Sequence, residues 1–131
     1  MRVLLSNPSN VAAPDGQFSQ CAVVTAGAKL LFISGQVPRN RDGDTVGIGD
    51  MTAQAEQVFA NLLAILDAHG AKFSDAVKAT IFVTDIGRAS EVVAVRSRYY
   101  GAAAPASTFV AVSALGDPDW LLEVELVAAV P

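Results

Sequence analysis

The 131-residue chain has one Cys, one His and one Trp, and only 17% of its residues are charged, against ~25% in an average globular chain. Each shortage excludes something. With Cys21 alone no intrachain disulfide can form, and a zinc site would lack both Cys pairs and multiple His. A reducing, cytoplasmic setting fits. Basic residues are scarce too: nine Lys+Arg stand against thirteen Asp+Glu, a net charge of −4 that repels a phosphate backbone. Nucleic-acid binding is therefore not expected. Neither a glycine-rich phosphate loop nor a metal-ligand cluster is visible, so no cofactor and no metal are expected. Long hydrophobic runs are also missing. Met1-Arg2-Val3-Leu4-Leu5 gives way at once to Ser6-Asn7-Pro8, short of the roughly 7–15 apolar residues of an export signal. The longest uncharged stretch, Tyr99 to Gly116, is mostly Ala, Ser, Thr and Gly and carries Pro105, which excludes a membrane span.

What is abundant is apolar surface: 52% of the residues are hydrophobic. A chain of this length makes one domain, spanning residues 1–131, and has too few charges to coat a small sphere. Part of its surface is expected to be buried against another chain.

Turn signals divide the chain into short elements. Residues 1–20 are mostly irregular, with a short strand at Arg2–Leu5. Strand patterns follow at Cys21–Ala26 and Lys29–Ser34, and the intervening Gly27-Ala28 suggests an antiparallel hairpin. Arg39–Asp50 is polar, with a turn at Asp42-Gly43-Asp44. From Asp50 or Thr52 the period becomes helical, with Ala55, Val58, Phe59, Leu62 and Leu66 on one face and Gly70 as the stop. Asp75–Asp85 alternates as a strand. Arg88–Tyr100 is a second helix, with Val92, Val95, Arg96 and Tyr99 at helical spacing and Gly101 at its end. Strands at Ser107–Leu115 and Trp120–Val130, joined by Gly116-Asp117-Pro118-Asp119, close the chain. The order ββ-α-β-α-ββ predicts an α+β two-layer domain: a mixed β-sheet with two helices packed on one face. Its other face stays uncovered, yet the strand at 107–115 carries no charge on either side. Such a face predicts a homo-oligomer.

Several stretches together resemble a known family. Gly16-Gln17-Phe18-Ser19-Gln20, Phe32-Ile33-Ser34-Gly35-Gln36-Val37-Pro38 and Lys78-Ala79-Thr80-Ile81-Phe82-Val83-Thr84-Asp85 are similar to the Rid family of reactive-intermediate imine/enamine deaminases, also called the YjgF or L-PSP family. Pro105-Ala106-Ser107-Thr108 and Glu123-Val124-Glu125 extend the likeness over nearly the whole chain. The resemblance implies a chorismate-mutase-like fold, a homotrimer with a small-molecule cleft between neighbouring subunits, and hydrolysis of imine or enamine intermediates without metal or cofactor.

The same resemblance distributes roles. Glu123 matches the family's acidic position that places or activates water, while Phe18, Ser34, Gly35 and Ser107 match substrate-binding positions. Two of these depart from the pattern. Phe18 replaces a tyrosine and keeps a ring without a hydroxyl, and Ser107 replaces the arginine that clamps the substrate carboxylate. A guanidinium binds a carboxylate through two charge-assisted hydrogen bonds, whereas a hydroxyl offers one neutral bond. Losing the pair in a desolvated cleft costs on the order of 2–4 kcal/mol, or roughly 30- to 1000-fold in affinity. Arg39, Arg41 and Arg88 are the candidates to supply a guanidinium from another direction. Glu125 lies two residues on, along the same face as Glu123. Cys21 reads as a buried small residue rather than a reactive thiol.

Three functions follow for comparison: a metal-independent hydrolase of a small imine, enamine or related metabolite; a non-deaminating small-molecule-binding or regulatory trimer, favoured by Ser107; and an endoribonuclease or translation inhibitor, opposed by the acidic balance and the single His.

Overall fold

In the computed structural model, which describes residues 3–131, helix α1 (Met51–Ala68) is the spine of the core. Asp50 caps its start by accepting a hydrogen bond from the Ala53 N–H at 3.0 Å. Met51, Gln54, Ala55, Val58, Phe59, Leu62 and Leu66 form its buried stripe. The end is a Schellman motif: the Gly70 N–H donates to the Asp67 carbonyl at 3.1 Å and the Ala71 N–H to the Leu66 carbonyl at 2.9 Å. Gly70 sits at φ +66°, the left-handed value this motif requires.

The remaining elements are β1 (Val3–Ser6), β2 (Cys21–Val24), β3 (Lys29–Gln36), β4 (Ala76–Val83), α2 (Ala89–Tyr100), β5 (Ala106–Ala111) and β6 (Leu122–Val130). Two of these refine the expectations: β5 stops at Ala111 and β6 starts at Leu122. Arg2 of the expected first strand lies outside the described residues. The main sheet has the order β3-β6-β4-β5, antiparallel except for the parallel β4–β5 pair. Ala79, Ile81, Val83, Leu122, Val124 and Leu126 bury one face of it beneath the two helices. This is the expected α+β two-layer domain with both helices on one side of a mixed sheet.

The hairpin between Cys21–Ala26 and Lys29–Ser34 does not form. Instead β2 pairs with β1 in a separate antiparallel ribbon, Val3 opposite Val24 through Ser6 opposite Cys21, while β3 pairs with β6. The physical reason is non-local. Nine-residue β6 offers β3 a ladder from Lys29↔Val130 to Gln36↔Val124, and the local Gly27-Ala28 turn signal contains no information about that competitor. Cys21 is exposed for the same reason, since its ribbon stands outside the sheet, and the expectation of a buried thiol is corrected.

The outer face of the main sheet is open. Along β3, Ile33 is 8% exposed on the helix side and its neighbour Phe32 is 77% exposed on the other. Phe32 is paired with Val127, and Val110 is also exposed there. No helix among the described residues is long and apolar enough to cross a membrane.

Candidate functional site

The candidate residues fall into two groups, each made by a different irregularity of the sheet. The first lies where β3 leaves its regular ladder. Ile33 is opposite Leu126 but Gln36 is opposite Val124, so three steps on β3 match two on β6 and a β-bulge falls at Ser34-Gly35. The bulge brings the Gly35 backbone beneath Glu123. A Cβ on Gly35 would lie 1.9 Å from Glu123 Oε2 and 2.8 Å from its Cδ, so the carboxylate occupies the space a side chain would take. Glu123 is half-buried opposite Phe82 on the open face and makes no hydrogen bond to any described residue. Its oxygens keep their lone pairs for a water or a ligand. A shallow cavity of about 310 Å³ between β3 and β6 is lined by Phe32, Ile33, Ser34, Glu125, Leu126 and Val127, and not by Glu123 or Gly35. The fold thus brings Ser34, Gly35 and Glu123 together.

The second group is at the far edge of β5. Ser19 forms a parallel bridge with Ala106, its N–H donates to the Pro105 carbonyl at 3.0 Å, and its buried hydroxyl donates to the Ala104 carbonyl at 2.7 Å. That stitch lays the Phe18-Ser19 segment along the edge of β5, the strand that carries Ser107. Ser107 faces the helix side, opposite buried Ala79, and Phe109 follows it on that side, opposite Ile81. Glu123 faces the open side, and β4 separates its strand from β5. A single chain therefore does not join Phe18 and Ser107 to Ser34, Gly35 and Glu123.

The loop arginines named as substitutes are engaged elsewhere or exposed. Arg39 Nε donates to the Gly43 carbonyl at 3.1 Å within its own loop, and Arg88 Nε lies 2.9 Å from Glu91 Oε2. Arg41 is exposed. Sequence reasoning missed Arg96, although an arginine inside the 92, 95, 96, 99 stripe was the available signal. It is only 6% exposed, its Nε donates to Gln17 Oε1 at 3.3 Å, and its guanidinium stands 5.6 Å from the Tyr100 ring centre and 5.9 Å from that of Phe109. Burial holds Arg96 below the usual arginine pKa, and burial pushes the Tyr100 phenol up to about 12 against the opposing charge of Arg96. No group of three or more His, Cys, Asp or Glu able to hold a metal occurs among the described residues.

Comparison with known proteins finds relatives by sequence and by structure. The sequence model of the family described as endoribonuclease L-PSP matches residues 9–130. Protein DfrA of Myxococcus xanthus is 46% identical over 100 residues, 76% of each chain. A 2-iminobutanoate/2-iminopropanoate deaminase of Dermatophagoides farinae is 30% identical over 102 residues, 78% of this chain and 77% of that protein. The crystal structure of YyfB from Yersinia pestis, a Rid-family protein of unknown function, superposes with a TM-score of 0.89 at 32% identity, covering 99% of this chain and 100% of that one. With the fold, the motif positions and a family match over residues 9–130 in agreement, the chain belongs to the Rid family, also called the YjgF or L-PSP family.

Proposed function

We propose that this chain assembles as a homotrimer and hydrolyses a small imine, enamine or related reactive metabolite in clefts between subunits, without metal or cofactor. The observation that carries the reading is the Glu123 carboxylate seated on the bare Gly35 Cα beside Ser34. A carboxylate held there takes a proton from water as the oxygen adds to the C=N carbon. It then returns that proton to nitrogen, giving the carbinolamine, and relays the carbinolamine hydroxyl proton to the same nitrogen as the C–N bond breaks, leaving a carbonyl compound and ammonia. The separation of the two residue groups supports a shared site, since neighbouring copies would bring one chain's Phe18 and Ser107 to another's Ser34, Gly35 and Glu123.

Exposed Phe32 and Val110 on the open sheet face support burial against further copies. Phe32→Glu, which places a charge on that face, is expected to shift the solution mass toward monomer and remove turnover with it. A monomeric wild type by light scattering would undo the interfacial cleft.

Ser107 favours a second reading, a small-molecule-binding or regulatory trimer that does not deaminate. Keto-acid and ammonia release from freshly generated 2-imino acids separates the two. Acceleration by wild type over the uncatalysed rate supports the hydrolase. Acceleration by Ser107→Arg alone means that the scaffold is competent and the natural ligand is not an imino acid with a free carboxylate. An endoribonuclease role fits poorly with the net charge of −4.

A further inference from the structure

Arg96 is a cation in a place that should hold an apolar side chain. It shares the inward stripe of α2 with Val92 and Val95, which are fully buried, and it is itself more than nine-tenths buried. No carboxylate among the described residues pairs with it, and only its Nε has a hydrogen-bond acceptor, the neutral Gln17 side chain. The terminal guanidinium nitrogens, with four N–H donors, are left without one. They are not sealed, because the Tyr100 hydroxyl is the only fully buried side-chain polar atom without a partner among the described residues. Water reaches them in the free chain, and an anion that displaces it gains charge-assisted hydrogen bonds in a largely desolvated place. Attraction to the faces of Tyr100 and Phe109 orients the guanidinium without satisfying its hydrogen bonds.

Its place in the fold says what that anion is for. Phe109 lies two residues from Ser107 on the same side of β5, and Gln17 precedes Phe18 in the segment that runs along the β5 edge, so Arg96 reaches the edge that carries both candidate residues. We infer that Arg96 is the anion anchor of the cleft: a guanidinium delivered from α2 that binds the carboxylate of a small planar ligand where Ser107 offers only a hydroxyl. Gln17 occupies Nε and leaves the outer fork for the carboxylate oxygens. The inference rests on the proposed cleft and names the chemical class of its ligand, a small carboxylate.

The test uses the intact wild-type assembly, with 2-oxobutanoate as a stable carboxylate probe read by calorimetry and 2-imino acids as substrates. Arg96→Met keeps the side chain's length and apolar stem. It is expected to weaken 2-oxobutanoate binding and raise KM by roughly 30- to 1000-fold, with kcat changed by less than about threefold. Arg96→Lys recovers part of the loss, and adding Ser107→Arg to Arg96→Met recovers most of it. A merely structural clamp would lower thermal stability without this split, and unchanged probe binding in folded Arg96→Met overturns the anchor. If that variant does not fold, the Arg96 Nε–H resonance of wild type decides. A shift with 2-oxobutanoate and none with 2-butanone supports the anchor, and no shift overturns it. Probe binding through Arg96 without imino-acid turnover keeps the anchor and sinks the hydrolase. Turnover that ignores Arg96 does the reverse, and absence of both binding and turnover overturns the anchor as well.

Discussion

Glu123→Gln is expected to slow 2-imino-acid hydrolysis by about 10²- to 10⁴-fold, the usual contribution of a positioned general base, while leaving the fold intact. The glutamine keeps the shape of the side chain but cannot accept a proton from water. Gly35→Ala is expected to slow the same step by about 100-fold through position alone. Its new methyl would lie 1.9 Å from Glu123 Oε2, well inside contact distance, so the carboxylate has to swing away. Gly35 is outside the left-handed region, so alanine suffers no backbone strain and the effect isolates the contact. The double variant should be no slower than Glu123→Gln, because both changes remove one placed carboxylate. Steady-state keto-acid release from the three variants, with thermal unfolding as a control, measures this. Additive losses in the double variant would show that Gly35 acts on something other than Glu123.

The largest effect on stability is expected from Gln54→Leu. Gln54 is fully buried in α1 and makes three hydrogen bonds: Nε2 donates to the Gly47 carbonyl at 3.1 Å and the Asp119 carbonyl at 2.8 Å, and Oε1 accepts from the Leu121 N–H at 2.8 Å. Leucine keeps roughly the volume and strands two backbone groups, the Asp119 carbonyl and the Leu121 N–H, while the Gly47 carbonyl keeps the Asp50 N–H at 2.8 Å. At about 1 kcal/mol or more for each group left without its partner, the loss is about 2 kcal/mol. Urea unfolding reads it as a lower midpoint with unchanged slope. The site feels the same change. Leu121 is two residues before Glu123, so freeing the lead-in to β6 loosens the strand that carries the carboxylate, and turnover should fall with stability. A midpoint shift worth less than about 0.5 kcal/mol would mean that water replaces the amide, and that this bridge does not set the position of β6.

How much of this was legible in advance depended on whether the signal was local. The helix at 51–68 was readable because its apolar stripe and its Gly70 stop lie within one segment. The alternation of β4 was readable for the same reason, and Ala79, Ile81 and Val83 face the core. Pairing was not. The Gly27-Ala28 signal suggested a hairpin, whereas the partner of β3 is a strand almost a hundred residues later in the chain, at Leu122–Val130. Arg96 shows the same division. Its helical position was evident from the sequence, but its unpaired guanidinium and its approach to Phe109 depend on how α2 lies over β5.

Sequence by itself determined the class of the molecule: which segments are helix or strand, which side of each strand is apolar, and the family to which the motifs belong. These follow from periodicity and short motifs, properties of neighbouring residues. The tertiary structure alone decided that a bulge at Ser34-Gly35 puts a glycine beneath Glu123, and that Phe18 and Ser107 stand at a different edge of the sheet. It also put a buried cation beside Ser107's strand. Register, bulges and unpaired charge arise from the competition among distant strands and helices for the same edges and core. That competition is settled only when the whole chain packs.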